Sequence, residues 1–153
     1  MRAMVLHQCT SRLVLAHLSP PECGPQQVRL RIEACGVCRT DLHIVDGDLK
    51  HPALPLIPGH EIVGRISEIG ADVTSLELGQ RVGVPWLGHT CGKCQYCRTS
   101  HENLTRQDGV EFFPLAHSAN VHTRTPPYPL EKANEALDDL RAGRLKGAAV
   151  LLP

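Results

Sequence analysis

Three cysteines recur at a spacing of three in Cys91-Gly-Lys-Cys94-Gln-Tyr-Cys97. A tight loop of that spacing turns three sulfurs toward one point, as in sites where a tetrahedral zinc ion has a structural role. Such a site takes four ligands, and no cysteine follows Cys97. The fourth place falls to His101, the nearest downstream candidate, or to His89, a water or a neighbouring molecule. A second constellation lies in Gly36-Val-Cys-Arg-Thr-Asp-Leu-His43 and Pro58-Gly-His-Glu61. Cys38 offers a thiolate, His60 an imidazole and Glu61 a carboxylate, a mixed soft and borderline set suited to zinc with an open position. Such an ion activates water or polarises a substrate oxygen. Asp41 is the kind of carboxylate that holds a ligating imidazole from behind and fixes its tautomer. Thr40 and His43, three residues apart, can pass a proton from an alcohol toward solvent.

The rest of the composition narrows the classes of function. Sixteen Lys and Arg balance sixteen Asp and Glu in 153 residues, so no global field draws the chain to nucleic acid or to acidic lipid. No run approaches the roughly 20 apolar residues of a spanning helix, and the opening Met-Arg-Ala-Met-Val-Leu-His-Gln lacks a signal-peptide pattern. We expect a cytoplasmic chain with no membrane and no nucleic-acid partner. Seven cysteines cannot all pair, and three of them crowd one loop, which favours metal over disulfides. Cys9 and Cys23 read as free thiols.

The elements that must position these residues read as an irregular, mostly β domain with a few helices. Gly- and Pro-rich stretches separate strand candidates at Arg2 to His7, Leu13 to Leu18, Gln27 to Ala34, Glu61 to Ile69 and Arg81 to Pro85. From Val28 to Ala34 apolar and charged residues alternate strictly, which predicts one buried and one solvated sheet face. Near residue 103 the pattern turns helical, with Thr105 as N-cap and Asp108 three residues later. Pro126, Pro127 and Pro129 predict a turn. A helix follows, carrying Leu130, Ala133, Leu137 and Leu140 at helical spacing and stopped at Gly143, and Ala148 to Leu152 close as a buried strand. No G-x-G-x-x-G spacing and no Walker-type loop occurs in the chain.

These motifs resemble the zinc-dependent alcohol dehydrogenases of the medium-chain dehydrogenase/reductase family. The match runs through the two constellations above, through Gly83-Val-Pro-Trp86-Leu87 and the cysteine loop, and on through Asn103 to Gly109 and Pro129 to Pro153. The resemblance implies a GroES-like, partly open β-barrel: the family's catalytic domain, without its Rossmann cofactor domain. It implies one domain over 1–153, made of an N-terminal segment, residues 1–104, and a C-terminal return, residues 105–153, with the cofactor domain absent between them. Carried over residue by residue, Cys38 and His60 resemble catalytic zinc ligands and Glu61 the carboxylate that can swing onto the metal. Asp41 resembles the residue that orients His60, Thr40 the hydroxyl nearest the substrate alcohol and His43 the outer end of the proton relay. Arg39 resembles a contact to the cofactor pyrophosphate, and Leu49 and Trp86 resemble residues lining the substrate cleft. Where the family places a fourth structural cysteine this chain has Thr105, and it has no counterpart of the family's second catalytic cysteine. By resemblance each zinc site is one ligand short.

The family reaction converts a small alcohol to an aldehyde or ketone with NAD(P). For this chain the expectation is a zinc-binding catalytic domain without hydride transfer of its own. A zinc-binding scaffold with weak metal-hydroxide hydrolase activity is the alternative. Loss of a cofactor domain predicts exposed apolar surface, Phe112, Phe113 and Leu115 included, and a monomer or weak, non-native dimer.

Overall fold

The computed structural model describes residues 1–49, 52–86, 91–99, 112 and 114–153. They fall into two compact units, Met1–Val84 with Arg124–Pro153, and Pro85–Thr123. In the first unit a two-stranded antiparallel sheet joins β1 (Arg2–Val5) to β2 (Val14–His17). A five-stranded sheet contains β3 (Val28–Val37), β4 (Glu61–Ile69), β5 (Arg81–Val84), β6 (Pro127–Pro129) and β7 (Ala149–Leu152), in the order β5-β4-β3-β7-β6. A bridge between Leu6 and Leu56 adds a further local pairing. Among the described residues these sheets do not close into a barrel. Among the described residues strand outweighs helix, as the patterning predicts.

Helix α1 (Arg39–Asp46) follows β3 directly, and a helix here named α3 (Ala133–Arg141) precedes β7. A 3-10 turn at Leu130–Lys132 leads into α3, and Gly143, at φ 66°, ends the reversal beyond it. Met4, Leu6 and Leu13, Val37, Leu42 and Val45, and Ala133, Ala136, Leu137 and Ala149 form one buried cluster. The core thus joins the first strands, α1 and the C-terminal α3 and β7. Asn134 fixes the join with its side-chain amide, accepting from Leu13 N at 3.0 Å and donating to Leu13 O at 2.9 Å.

Two expectations are corrected. The alternation from Val28 to Ala34 does not give one clean solvated face, because register shifts between Arg29 and Leu30 and between Ile32 and Ala34 re-phase the strand. Ile32 is consequently 36% exposed, while Glu33 is half-buried and ion-paired with Arg65 and Arg81. Gly64 lies opposite this stretch, where a Cβ would stand 2.7 Å from Arg31 O. Pro127 and Pro129 are not in a turn but in β6, parallel to β7. An edge strand tolerates prolines because their missing N–H groups can face away from the ladder. The predicted strands otherwise recur with shifted ends, β3 running on to Val37 and delivering the chain to Cys38.

In the second unit, α2 (Gln95–Arg98) follows Cys94, and residues 112 and 114–118 are helical. Phe112 is 53% and Leu115 64% exposed. The predicted N-cap Thr105, together with His89, His101 and Phe113, lies outside the described residues. Among the described residues no helix is long and apolar enough to cross a membrane.

Leu6 has no exposed surface and sits where both ends of the chain meet. Leu6→Ala is expected to cost about 2–5 kcal/mol in denaturant unfolding. Leu78→Ala, at a side chain 68% exposed, should change stability by no more than about 0.5 kcal/mol.

Candidate metal centre

Cys38 is the N-cap of α1, in extended conformation at φ −118° and ψ 175°. Its backbone N–H donates to Asp41 Oδ2 at 2.9 Å, and its sulfur accepts from Thr40 N at 3.2 Å. This reciprocal capping box uses a cysteine where a serine or threonine is usual. The sulfur is thereby held at the N-terminal end of α1. His60 arrives from the residue preceding β4, and its Nε2 lies 3.0 Å from Cys38 Sγ. On the other side of the ring, Nδ1 is 3.4 Å from Asp41 Oδ1. Asp41 is only 3% exposed, and its Oδ1 is a buried oxygen without a hydrogen-bond partner.

The donor atoms of Cys38, Asp41 and His60 all lie within 4.8 Å of one another. A sulfur and an imidazole nitrogen that converge, with a buried carboxylate behind the ring, fit a zinc ion in ligand type. The orphaned Asp41 oxygen fits as well, since a ring committed through Nε2 presents Nδ1–H to it.

Glu61 stands outside that cluster. Its side chain lies across Gly36, where a Cβ would collide with it. Gly59, at φ 127°, leaves room for Cys35, whose sulfur would be 2.8 Å from a Cβ there. Burial pushes the Cys35 thiol up, opposed by a hydrogen bond from the Glu61 backbone. Thr40 is half-buried, and Arg39 is exposed at the start of α1. His43 lies one turn along from Thr40 and is exposed. Leu49 is 43% exposed just beyond α1, and Trp86, in the second unit, is 57% exposed.

The second cluster is local. Cys91, Cys94 and Cys97 place their sulfurs within 4.8 Å of one another, with Cys94 to Cys97 at 3.5 Å and Cys91 to Cys97 at 3.8 Å. Thiolates on one tetrahedral zinc at bond lengths of about 2.3 Å stand about 3.8 Å apart, so this spacing fits. Gly92, in left-handed conformation at φ 68°, turns the loop so that Lys93 N and Cys94 N donate to Cys91 Sγ at 3.5 and 3.3 Å. Those two donors lower the Cys91 thiol to about 7, whereas Cys97 is raised, first by its hydrogen bond with Cys94.

Residues 24–124 match the alcohol dehydrogenase GroES-like domain. This chain belongs to that family. An alcohol dehydrogenase of Geobacillus stearothermophilus is 49% identical over 105 residues, which make up 68% of this chain and 31% of that enzyme. The cobalt- and zinc-bound thermostable alcohol dehydrogenase of Pyrobaculum aerophilum superposes with a TM-score of 0.62 at 32% identity, over 68% of this chain and 32% of that one. CAD from Helicobacter pylori, complexed with NADP(H), gives a TM-score of 0.59 at 30% identity, over 68% and 31% of the two chains. The chain therefore spans about a third of the length of the curated relatives it matches. The family is the zinc-binding medium-chain alcohol dehydrogenases, and the GroES-like domain is their catalytic portion.

Sequence reasoning named Cys38, Asp41 and His60, which the fold brings together, and the three loop cysteines, which converge. It missed Asp48, whose carboxylate meets His43 Nδ1 at 2.8 Å. The available signal was Gly47, a helix-ending glycine that turns the chain back on α1.

In the metal-free protein Cys91 is expected to alkylate before Cys97. Its reactive thiolate fraction should rise with pH through about 7, below the range of an ordinary thiol. Iodoacetamide labelling across pH, read by peptide mass spectrometry, checks this; equal rates at the two cysteines would contradict it.

Proposed function

We propose that this chain is the zinc-holding catalytic domain of a zinc-dependent alcohol dehydrogenase, acting on a small alcohol or its aldehyde or ketone product. The observation that carries the reading is the 3.0 Å approach of Cys38 Sγ to His60 Nε2 with the Asp41 carboxylate behind the ring. Cys38 and His60 would hold the ion, Glu61 serves as an alternative oxygen ligand, and Asp41 keeps the His60 ring turned with Nε2 forward. When bound, zinc supplies Lewis-acid polarisation of the substrate oxygen. Thr40 Oγ1 takes the alcohol proton and His43 passes it to solvent. Arg39, exposed at the start of α1, is left as the contact to a nicotinamide cofactor's pyrophosphate, and exposed Leu49 as an apolar wall of the cleft. The second ion belongs to Cys91, Cys94 and Cys97, with the fourth place open to His101, His89, a water or a neighbouring molecule.

The reading includes one domain assembled from 1–104 and 105–153. Support comes from the compact unit that unites 1–84 with 124–153, and from β7 pairing with β3. It also includes the absence of independent hydride transfer. A nicotinamide must be held against the substrate in van der Waals contact for a hydride to move, and these 153 residues hold no G-x-G-x-x-G turn to cradle its pyrophosphate.

Zinc analysis of freshly purified chain should give about two ions per chain. His60→Ala should remove one of them and Cys94→Ser the other. Asp41→Asn keeps an oxygen for the Cys38 cap and is expected to weaken the first site about 10–100-fold. A chain that retains no zinc from zinc-replete buffer would sink the metal reading. NAD(P)H formation from a primary alcohol by the chain alone would sink the claim that hydride transfer needs more than these residues. Ester hydrolysis lost with His60→Ala would favour the hydrolytic scaffold.

A further inference from the structure

At the far end of α1 the chain reverses on Gly47, which adopts a left-handed conformation at φ 82°. Its N–H donates to the His43 and Ile44 carbonyls, and Asp48 N donates to His43 O at 2.9 Å. The reversal carries the Asp48 side chain back over the last turn, where Oδ2 lies 2.8 Å from His43 Nδ1. Asp46 is closer in sequence but is engaged by Arg141, whose Nη2 lies 2.6 Å from Asp46 Oδ1.

An ionised carboxylate only accepts hydrogen bonds, so the proton in this contact sits on His43 Nδ1. In the neutral ring the other nitrogen, Nε2, is then a bare acceptor. A histidine that receives a proton at the end of a relay requires such a defined unprotonated nitrogen. The His43 and Asp48 side chains are 46% and 62% exposed, and a pair so solvated contributes little to stability. Its effect therefore falls on the state of the ring.

We infer that Asp48 is a positioning residue for His43, holding the ring in the Nδ1–H tautomer so that Nε2 is the proton acceptor. This rests on the reading of His43 as the outer end of the relay. The proton leaves the alcohol oxygen through Thr40 Oγ1, joins Nε2 to form the imidazolium, and departs from Nε2 to solvent. Asp48 accepts the Nδ1–H bond throughout.

The test is long-range 15N–1H NMR of the full 153-residue chain, with the His43 ring assigned by its disappearance in His43→Gln. In the neutral ring of the native chain, Nδ1 should carry the pyrrole-like shift of a protonated nitrogen and Nε2 the pyridine-like shift. In Asp48→Ala the major form should invert, with the remaining backbone spectrum unchanged. A native ring protonated mainly at Nε2, or an Asp48→Ala ring that does not change, overturns the inference. Should Asp48→Ala not fold, the native spectrum decides alone. The measurement needs neither zinc nor nicotinamide, so loss of the metal reading and loss of this inference are told apart. Zinc analysis reports on the first and the ring tautomer on the second.

Discussion

The carboxylate of Asp41 is shared between two regions of the chain that meet only in the folded state. Oδ2 receives the Cys38 backbone N–H and starts α1, and Oδ1 faces His60 Nδ1 at 3.4 Å. A carboxylate 3% exposed is costly to bury unless its oxygens are met by donors. The same group caps the first turn of the helix, and His60, just before β4, brings its ring to within 3.4 Å of the other oxygen. Cys38 and His60 lie 22 residues apart, and both come up to this one carboxylate in the folded chain.

What holds α1 in place comes largely from the other end of the sequence. Leu42 and Val45 are buried on α1 and pack in the cluster with Ala133, Ala136 and Leu137 of α3. Around that apolar contact run Arg141 to Asp46, Arg141 to Asp138 and Arg12 to Asp138. Arg12 holds the Asp138 carboxyl below the usual carboxylate range, yet the pair is largely exposed and contributes little. Each fully buried aliphatic side chain is worth about 1.5–3 kcal/mol by comparison. Apolar burial sets the position of α1, and among the described residues a single ion pair, Arg141 to Asp46, runs from α3 to the last turn of α1.

The features of the site written in local residue types were legible in the sequence. Cys38 next to Asp41 and the three cysteines of the 91–97 loop needed only type and spacing. The placement of Asp48 was not legible, because it depends on the left-handed turn at Gly47 returning the chain to a residue five positions back. The alternation from Val28 to Ala34 misled for a related reason: bulges depend on the partner strand, and Gly64 opposite Ile32 is what lets the backbones approach. Pro127 and Pro129 read as a turn because proline chemistry is local, whereas an edge position in a sheet is a property of the whole fold.

The two donor clusters also differ in what assembles them. The loop sulfurs are gathered within seven residues by one left-handed glycine and two backbone donors, so their geometry is available without the distant sheet. The Cys38 and His60 pair exists only while β3, α1 and the start of β4 are all in place. Ligand binding free energy is folding free energy to the extent that folding builds the site. An ion on the loop would therefore stabilise little beyond the loop, whereas one between Cys38 and His60 would be coupled through Asp41 to α1. Through α1 it would reach the core that joins the two ends of the chain.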